Sequence, residues 1–147
     1  MDYRAGFTGD YISAPELEGK TPTLSMREIK LEDVAEIKNG VETGKTKKKW
    51  VIYLGKLDRG WILNRTNAEA LKEMFGCDVD AWVNKRVTLH TQMVQVGPRK
   101  ELGIRVKGSP DIQQDVTFML TLPKKKPIPY KLEKTMPRQA ETQGEPT

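Results

Sequence analysis

The segment "LNRTNAEALKEMFG", residues 63–76, is helical in a chain that otherwise reads as strand, and that interruption narrows the possible folds sharply. Thr66 and Glu69 have the Thr-x-x-Glu spacing of a capping box, in which each side chain satisfies a free amide at the helix start. Ala68, Leu71 and Phe75 recur at i, i+3 and i+7, and Met74 widens that apolar stripe. Gly76 follows as a left-handed C-cap. The spacing predicts one long helix over 66–75.

The flanking segments alternate with period two. Leu24 and Met26 share one parity, and Ile29 and Leu31 the other. A one-residue slip near Arg27-Glu28 is the signature of a β-bulge, which lets a strand bend. "EIKNGVETGKTKKK" (36–49) reads as a polar loop with an Asn-Gly turn. "WVIYLG" and "WILN", joined by "KLDRG", form a hairpin; Trp50 and Trp61 share parity with Ile52 and Leu63 and are assigned to the core side. "DVDAWVNK" (78–85) is a helical turn capped by Asp78 or Asp80, with Trp82 inward. "RVTLHTQMVQV" and "ELGIRVKG" flank the turn "GPRK", and "DVTFMLTL" (115–122) is a sixth strand.

Five strands with a helix between the third and fourth match an OB-like Greek-key barrel with an added C-terminal strand. Leu71, Met74 and Phe75 would then close one end of the core. A small β-sandwich with an incidental helix is the alternative. The division expected is a loosely ordered arm at 1–20, an OB-like barrel at 21–123, and a basic, proline-containing tail at 124–147. Pro123, Pro127 and Pro129 and the sparse apolar residues predict a disordered tail that is dispensable for stability.

At 147 residues and 37% apolar content, the chain can build one core. The polar start "MDYRAGFTGD" has no signal-peptide pattern, and the apolar runs are too short to span a bilayer. The single cysteine, Cys77, excludes an intramolecular disulfide and is expected to be buried. These features suggest the cytoplasm.

Catalytic patterns fail on spacing. Gly40 and Gly44 in "NGVETGKT" stand one residue too close for a phosphate-binding loop, and a strand follows where a helix is needed. Asp78 and Asp80 suit capping better than metal binding, and His90 is the only histidine, so no triad or histidine metal cluster can form. The expectation is a non-enzymatic protein without cofactor or metal.

Binding chemistry remains. The net charge is +5, with residues 1–123 nearly neutral and the tail supplying much of the surplus. Lys45, Lys47, Lys48 and Lys49 crowd one segment, Lys56, Arg59 and Arg65 flank the hairpin, and Arg105 and Lys107 share an outward parity. Single-strand binders combine such a basic groove with aromatic platforms, and Tyr53 has the outward parity to stack on a base. The phosphate contacts expected are Lys47, Lys48, Lys49, Lys56, Arg65, Arg105, Lys107 and the tail lysines Lys124, Lys125 and Lys126. The same lysines could simply keep an edge soluble.

The blocks "LEGKTPTLSMREIKLEDV", "KKKWVIYLGKLDRGWILNRTNAEALKEMFG", "DAWVNKRVTLHTQMVQVGPRKELGIRV" and "DVTFMLTLPKKKP" resemble a family of small bacteriophage and prophage proteins. "LNRTNAEAL" and "WVNKRVTL" are the most specific parts, and the likeness covers roughly residues 17–127. It implies an OB-like fold and a part in phage DNA metabolism, and it carries over no catalytic residue. Tryptophan at 50 and 61 departs from the smaller or aliphatic residues expected there. The leading expectation is sequence-independent binding of single-stranded DNA in phage replication or recombination. The alternative is a module that docks on a host or phage replication protein.

Overall fold

The structure is a computed structural model that describes residues 11–38, 41–96 and 98–136. Strands β1 (Thr23–Lys38), β2 (Val41–Leu54) and β3 (Gly60–Ile62) precede helix α2 (Arg65–Phe75) and a 3-10 turn (Val79–Trp82). Strands β4 (Arg86–Val96), β5 (Arg99–Ser109), β6 (Val116–Leu120) and β7 (Ile128–Lys134) follow, and a short helix α1 (Ala14–Leu17) opens the described chain. The fold is mostly β. The strands form one mixed sheet in the order β3-β2-β1-β4-β5-β7-β6, antiparallel except where β5 meets β7.

The bend in β1 falls where the parity slips. Met26 pairs with Leu54 and Glu28 with Tyr53, which leaves Arg27 as the extra residue of a bulge. Before the bulge, Thr23 to Ser25 pair with β4; after it, β1 pairs with β2 as far as Lys38. One strand thus serves two neighbours, and the hairpins β1–β2 and β4–β5 part from that seam.

The segment 36–49 is strand, not loop. β1 runs to Lys38 and β2 starts at Val41, with Asn39-Gly40, the expected turn, lying outside the described residues. A second register shift between Ala35 and Ile37 accommodates Gly44, at φ +84. Every residue from Val41 to Trp50 is exposed, so no buried face imposes an alternation that a sequence pattern could reveal. The ribbon is held instead by cross-strand partners. Lys48 donates to Asp33 at 2.9 Å and Lys47 lies 3.2 Å from Glu36.

Helix α2 sits between β3 and β4 as the sequence implies, but its cap is Asn64. The Asn64 side chain accepts from the Asn67 amide at 2.9 Å, Thr66 is buried in the first turn, and Glu69 pairs with Arg65 and Lys72 instead of closing a capping box. Gly76 does adopt a positive φ, +98, as the helix ends. Leu71 is buried, and Met74 and Phe75 pack partly on the core with Met26, Ile52, Trp61, Val87 and Leu89. Asp78 caps the 3-10 turn, and Trp82 is buried and donates to the Gly76 carbonyl at 2.8 Å. Cys77 is exposed rather than buried. It follows the helix-ending glycine, in a bend outside the core.

Two segments expected to be loose are packed. Residues 11–17 lie on the sheet: the Ile12 amide donates to the Gly60 carbonyl, Ala14 is buried, and the capping box of this protein is formed by Ser13 and Glu16. Arg59 clasps Glu16 and holds its carboxyl down to about 2. The disordered tail is corrected over 128–134, which forms β7. Leu132 is fully buried, the Tyr130 hydroxyl donates to the Val106 carbonyl at 2.7 Å, and Phe118 and Tyr130 stack with centroids 5.4 Å apart. Thr135 continues a hydroxyl chain through Thr88 to Thr23, at 2.7 and 2.6 Å. Gly108 permits this contact, because a Cβ there would overlap the Glu133 backbone. Pro129 is tolerated because β5 does not pair with β7 until Glu133, so no ladder bond is required of that stretch on the β5 side. Residues 1–10 and 137–147 of the expected arm and tail lie outside the described residues.

The expected barrel closure would need β3 beside β5, and among the described residues no pairing joins them. Asn67 takes that edge instead. Its side-chain amide donates to the Ile104 carbonyl at 2.9 Å, and its side-chain oxygen accepts from the Val106 amide at 3.2 Å. One fully buried side chain thus acts as a short strand against β5.

Candidate nucleic-acid interface

The cations singled out in the sequence fall into two groups. Lys45, Lys47, Lys48 and Lys49 line the exposed stretch of β2. Asp33 and Glu36 engage Lys48 and Lys47, whereas among the described residues Lys45 and Lys49 make no ion pair. The side-chain hydrogen bond from Thr43, followed by Lys47, holds the Glu36 carboxyl below its ordinary range. On the other hairpin, Arg99 pairs with Glu101 at 3.1 Å, and among the described residues Lys100 makes no ion pair.

The second group gathers where β4–β5 faces β6–β7. Arg105 and Lys107 project from β5, Lys125 from the turn after β6, and Lys131 from β7, around a groove of 410 Å³. His90, Gln92 and Tyr130 share its walls. Thr66 of α2 reaches the same groove, which places its neighbour Arg65 close by, although Arg65 is engaged by Glu69 at 3.1 Å. Lys124 and Lys126 are exposed beside it, and Lys56 stands apart in the turn after β2.

Tyr53 is not the open platform that its parity suggested. It is half-buried, its hydroxyl donates to Glu32 at 2.5 Å, and that bond pushes its pKa up to about 12. Arg27 and Lys30 lie over its ring at 5.8 and 5.6 Å. The bulge brings Arg27 there, and a bulge redirects side chains in a way parity alone does not forecast. The two hairpin tryptophans also separate. Trp61 is 2% exposed as expected, whereas Trp50 is 38% exposed beside Leu31, its cross-strand partner, at 50%. β3 pairs only with Val51 to Tyr53, so Trp50 lies beyond the cover that reaches Ile52.

Tyr130, His90 and Lys131 were missed from the sequence, and the missed strand explains two of them. Only His90, at outward parity opposite Arg105, carried a usable signal. Among the described residues no three His, Cys, Asp or Glu side chains group as a metal site, and no helix is long and apolar enough to cross a membrane. No protein-family model, curated protein or solved structure matches the chain. The resemblance to small phage proteins therefore rests on the quoted segments alone.

Proposed function

We propose that the chain is a non-enzymatic, OB-like module that binds single-stranded DNA without sequence preference, in the phage replication or recombination setting its sequence resemblance implies. The observation that carries this proposal is the pair of hairpins, β1–β2 and β4–β5, parting from one seam with basic residues on both. OB-folds bind oligonucleotides with the corresponding elements, the loops joining strands 1–2 and 4–5 and the face of strands 2–3. The order β3-β2-β1-β4-β5 is that of such a barrel opened between its third and fifth strands. Surface ion pairs are worth only about 0–1 kcal/mol, so phosphates can displace Asp33 and Glu36 from their lysines. Anisotropy of a labelled oligodeoxythymidine should show binding that weakens steeply with salt, by a log–log slope of about −0.7 per phosphate neutralised. Replacing Lys47, Lys48 and Lys49 by alanine should make that slope shallower by up to about 2. A folded chain that binds no oligonucleotide at low salt ends the proposal.

A protein-docking function is favoured by one observation, the exposed pair Trp50 and Leu31 at the base of the ribbon. Aromatic anchors of this kind dominate protein interfaces. Under that function, a partner retained from nuclease-treated host lysate should be lost with Trp50→Ala. Retention by the variant removes Trp50 as the anchor.

A further inference from the structure

Among the described residues β5 and β7 pair as strands only at Gly108–Glu133 and Ser109–Lys134, and the groove opens between them. Its lining is lopsided in charge: four lysine or arginine side chains and His90 face one carboxylate, Glu133. Glu133 lies 3.6 Å from Lys107, and Lys131 is drawn to Asp115 at 3.6 Å. Arg105 and Lys125 are in no ion pair among the described residues. Arg105 is half-buried, and its one side-chain hydrogen bond goes to the carbonyl of Ile104 at 3.1 Å. A guanidinium carries five donors in a fork that fits carboxylate or phosphate oxygens. Partial burial without an anionic partner among the described residues costs desolvation that one carbonyl hydrogen bond offsets only in part. The turn carrying Lys125 holds Lys124 at φ 63, a left-handed conformation that is strained for a residue with a Cβ. Backbone strain of this sort clusters at ligand clamps.

We propose that this groove is a seat for one phosphate group, with Arg105 as its bidentate anchor and Lys107 and Lys125 as flanking charges. The seat deepens the nucleic-acid function by naming where a phosphate of the bound strand rests, and in that respect it depends on it. Tyr130 cannot supply a further donor, because its hydroxyl is committed to the Val106 carbonyl. Its ring remains on the groove wall beside the sugar of a seated nucleotide.

His90 is the only histidine of the chain and lines the same groove, so its ring protons report on the site without overlap. Burial holds its pKa below the ordinary value, Lys107 and Arg105 add to that, and Glu133 opposes it. Lys125 and Lys131 are the other charged groups lining the groove; Tyr130 is its remaining titratable group, and Gln92, Gln95 and Thr66 are its neutral polar side chains. A bound phosphate adds negative charge beside the imidazole and raises its titration midpoint.

The test is NMR of the full chain, titrated with inorganic phosphate against a chloride control at matched ionic strength. A saturable shift of the His90 ring resonances and an upward move of its midpoint are expected. Arg105→Gln should weaken phosphate at least about tenfold, and the exposed Lys125→Ala, which leaves the sheet intact, several-fold. No shift beyond chloride, or full affinity in both variants, overturns the seat. An oligodeoxythymidine should then displace phosphate at His90. If the oligonucleotide binds by anisotropy yet leaves His90 unmoved, the seat is wrong and the nucleic-acid function stands. If phosphate alone moves His90 and no oligonucleotide binds, the seat stands for a small phosphate ester and the nucleic-acid function falls.

Discussion

Leu132→Ala should lower the unfolding free energy by about 2–5 kcal/mol, the range for truncating a fully buried leucine whose cavity closes only in part. In a chain of 147 residues each kcal/mol moves the melting temperature by about 2–4 °C, so a fall of roughly 4–20 °C is expected. Deleting residues 128–147 should cost at least as much. It removes Leu132, the Phe118–Tyr130 stack, the Tyr130 bond to Val106 and the Thr135 end of the hydroxyl chain together. Thermal unfolding followed by circular dichroism decides the matter. A truncated chain that melts with the full-length protein would return this segment to the status of a dispensable tail.

Asn67→Ala should be about as damaging although it removes little apolar surface. The Ile104 carbonyl and the Val106 amide would lose their partner inside the protein, at about 1–3 kcal/mol for each unsatisfied group. Asn67→Asp separates hydrogen bonding from volume. While protonated, the introduced carboxyl can donate to the Ile104 carbonyl and accept from the Val106 amide, as asparagine does. Once ionised it only accepts, so an oxygen opposes the Ile104 carbonyl and a charge is buried. Its folded-state pKa is therefore raised above the unfolded value of about 3.9. The sign follows: this variant is close to wild type below about pH 4, loses stability as the pH rises above that, and levels off beyond the folded-state value. Denaturant melts from pH 3.5 to 7.5 would show it. A variant equally stable at both ends would mean that Asn67 does not hold the β5 edge.

The places where sequence and structure part have a common physical origin. β7 was illegible because a strand is recognised by its own alternation, while Leu132 is buried in a core cluster whose other members run from Ala14 to Val106, and Pro129 sits where no ladder bond is required on the β5 side. The β2 ribbon was illegible for the opposite reason: both its faces are exposed, and only the register against β1 gives it strand structure. For the candidate site, outward parity placed Arg105 and Lys107 correctly on one face. It could not place Lys125, His90 and Tyr130 around them, because that juxtaposition depends on β6–β7 returning across β5. Tyr53 had the right parity and the wrong surroundings, since Glu32 and Arg27 reach it only through pairing and the bulge.

What the chain determines locally is considerable. Period-two runs and one amphipathic segment were enough for a mostly β protein with a helix between β3 and β4, a bulge at Arg27, and Trp82 and Trp61 in the core. Those features depend on neighbours within a few residues, whose propensities and spacing are written in order. The open β3–β5 edge, the side chain of Asn67 filling it, and the cationic groove were decided by tertiary structure alone. Each joins groups far apart in sequence, and such contacts follow from how the sheet twists and which edge remains unpaired, quantities that no local pattern encodes.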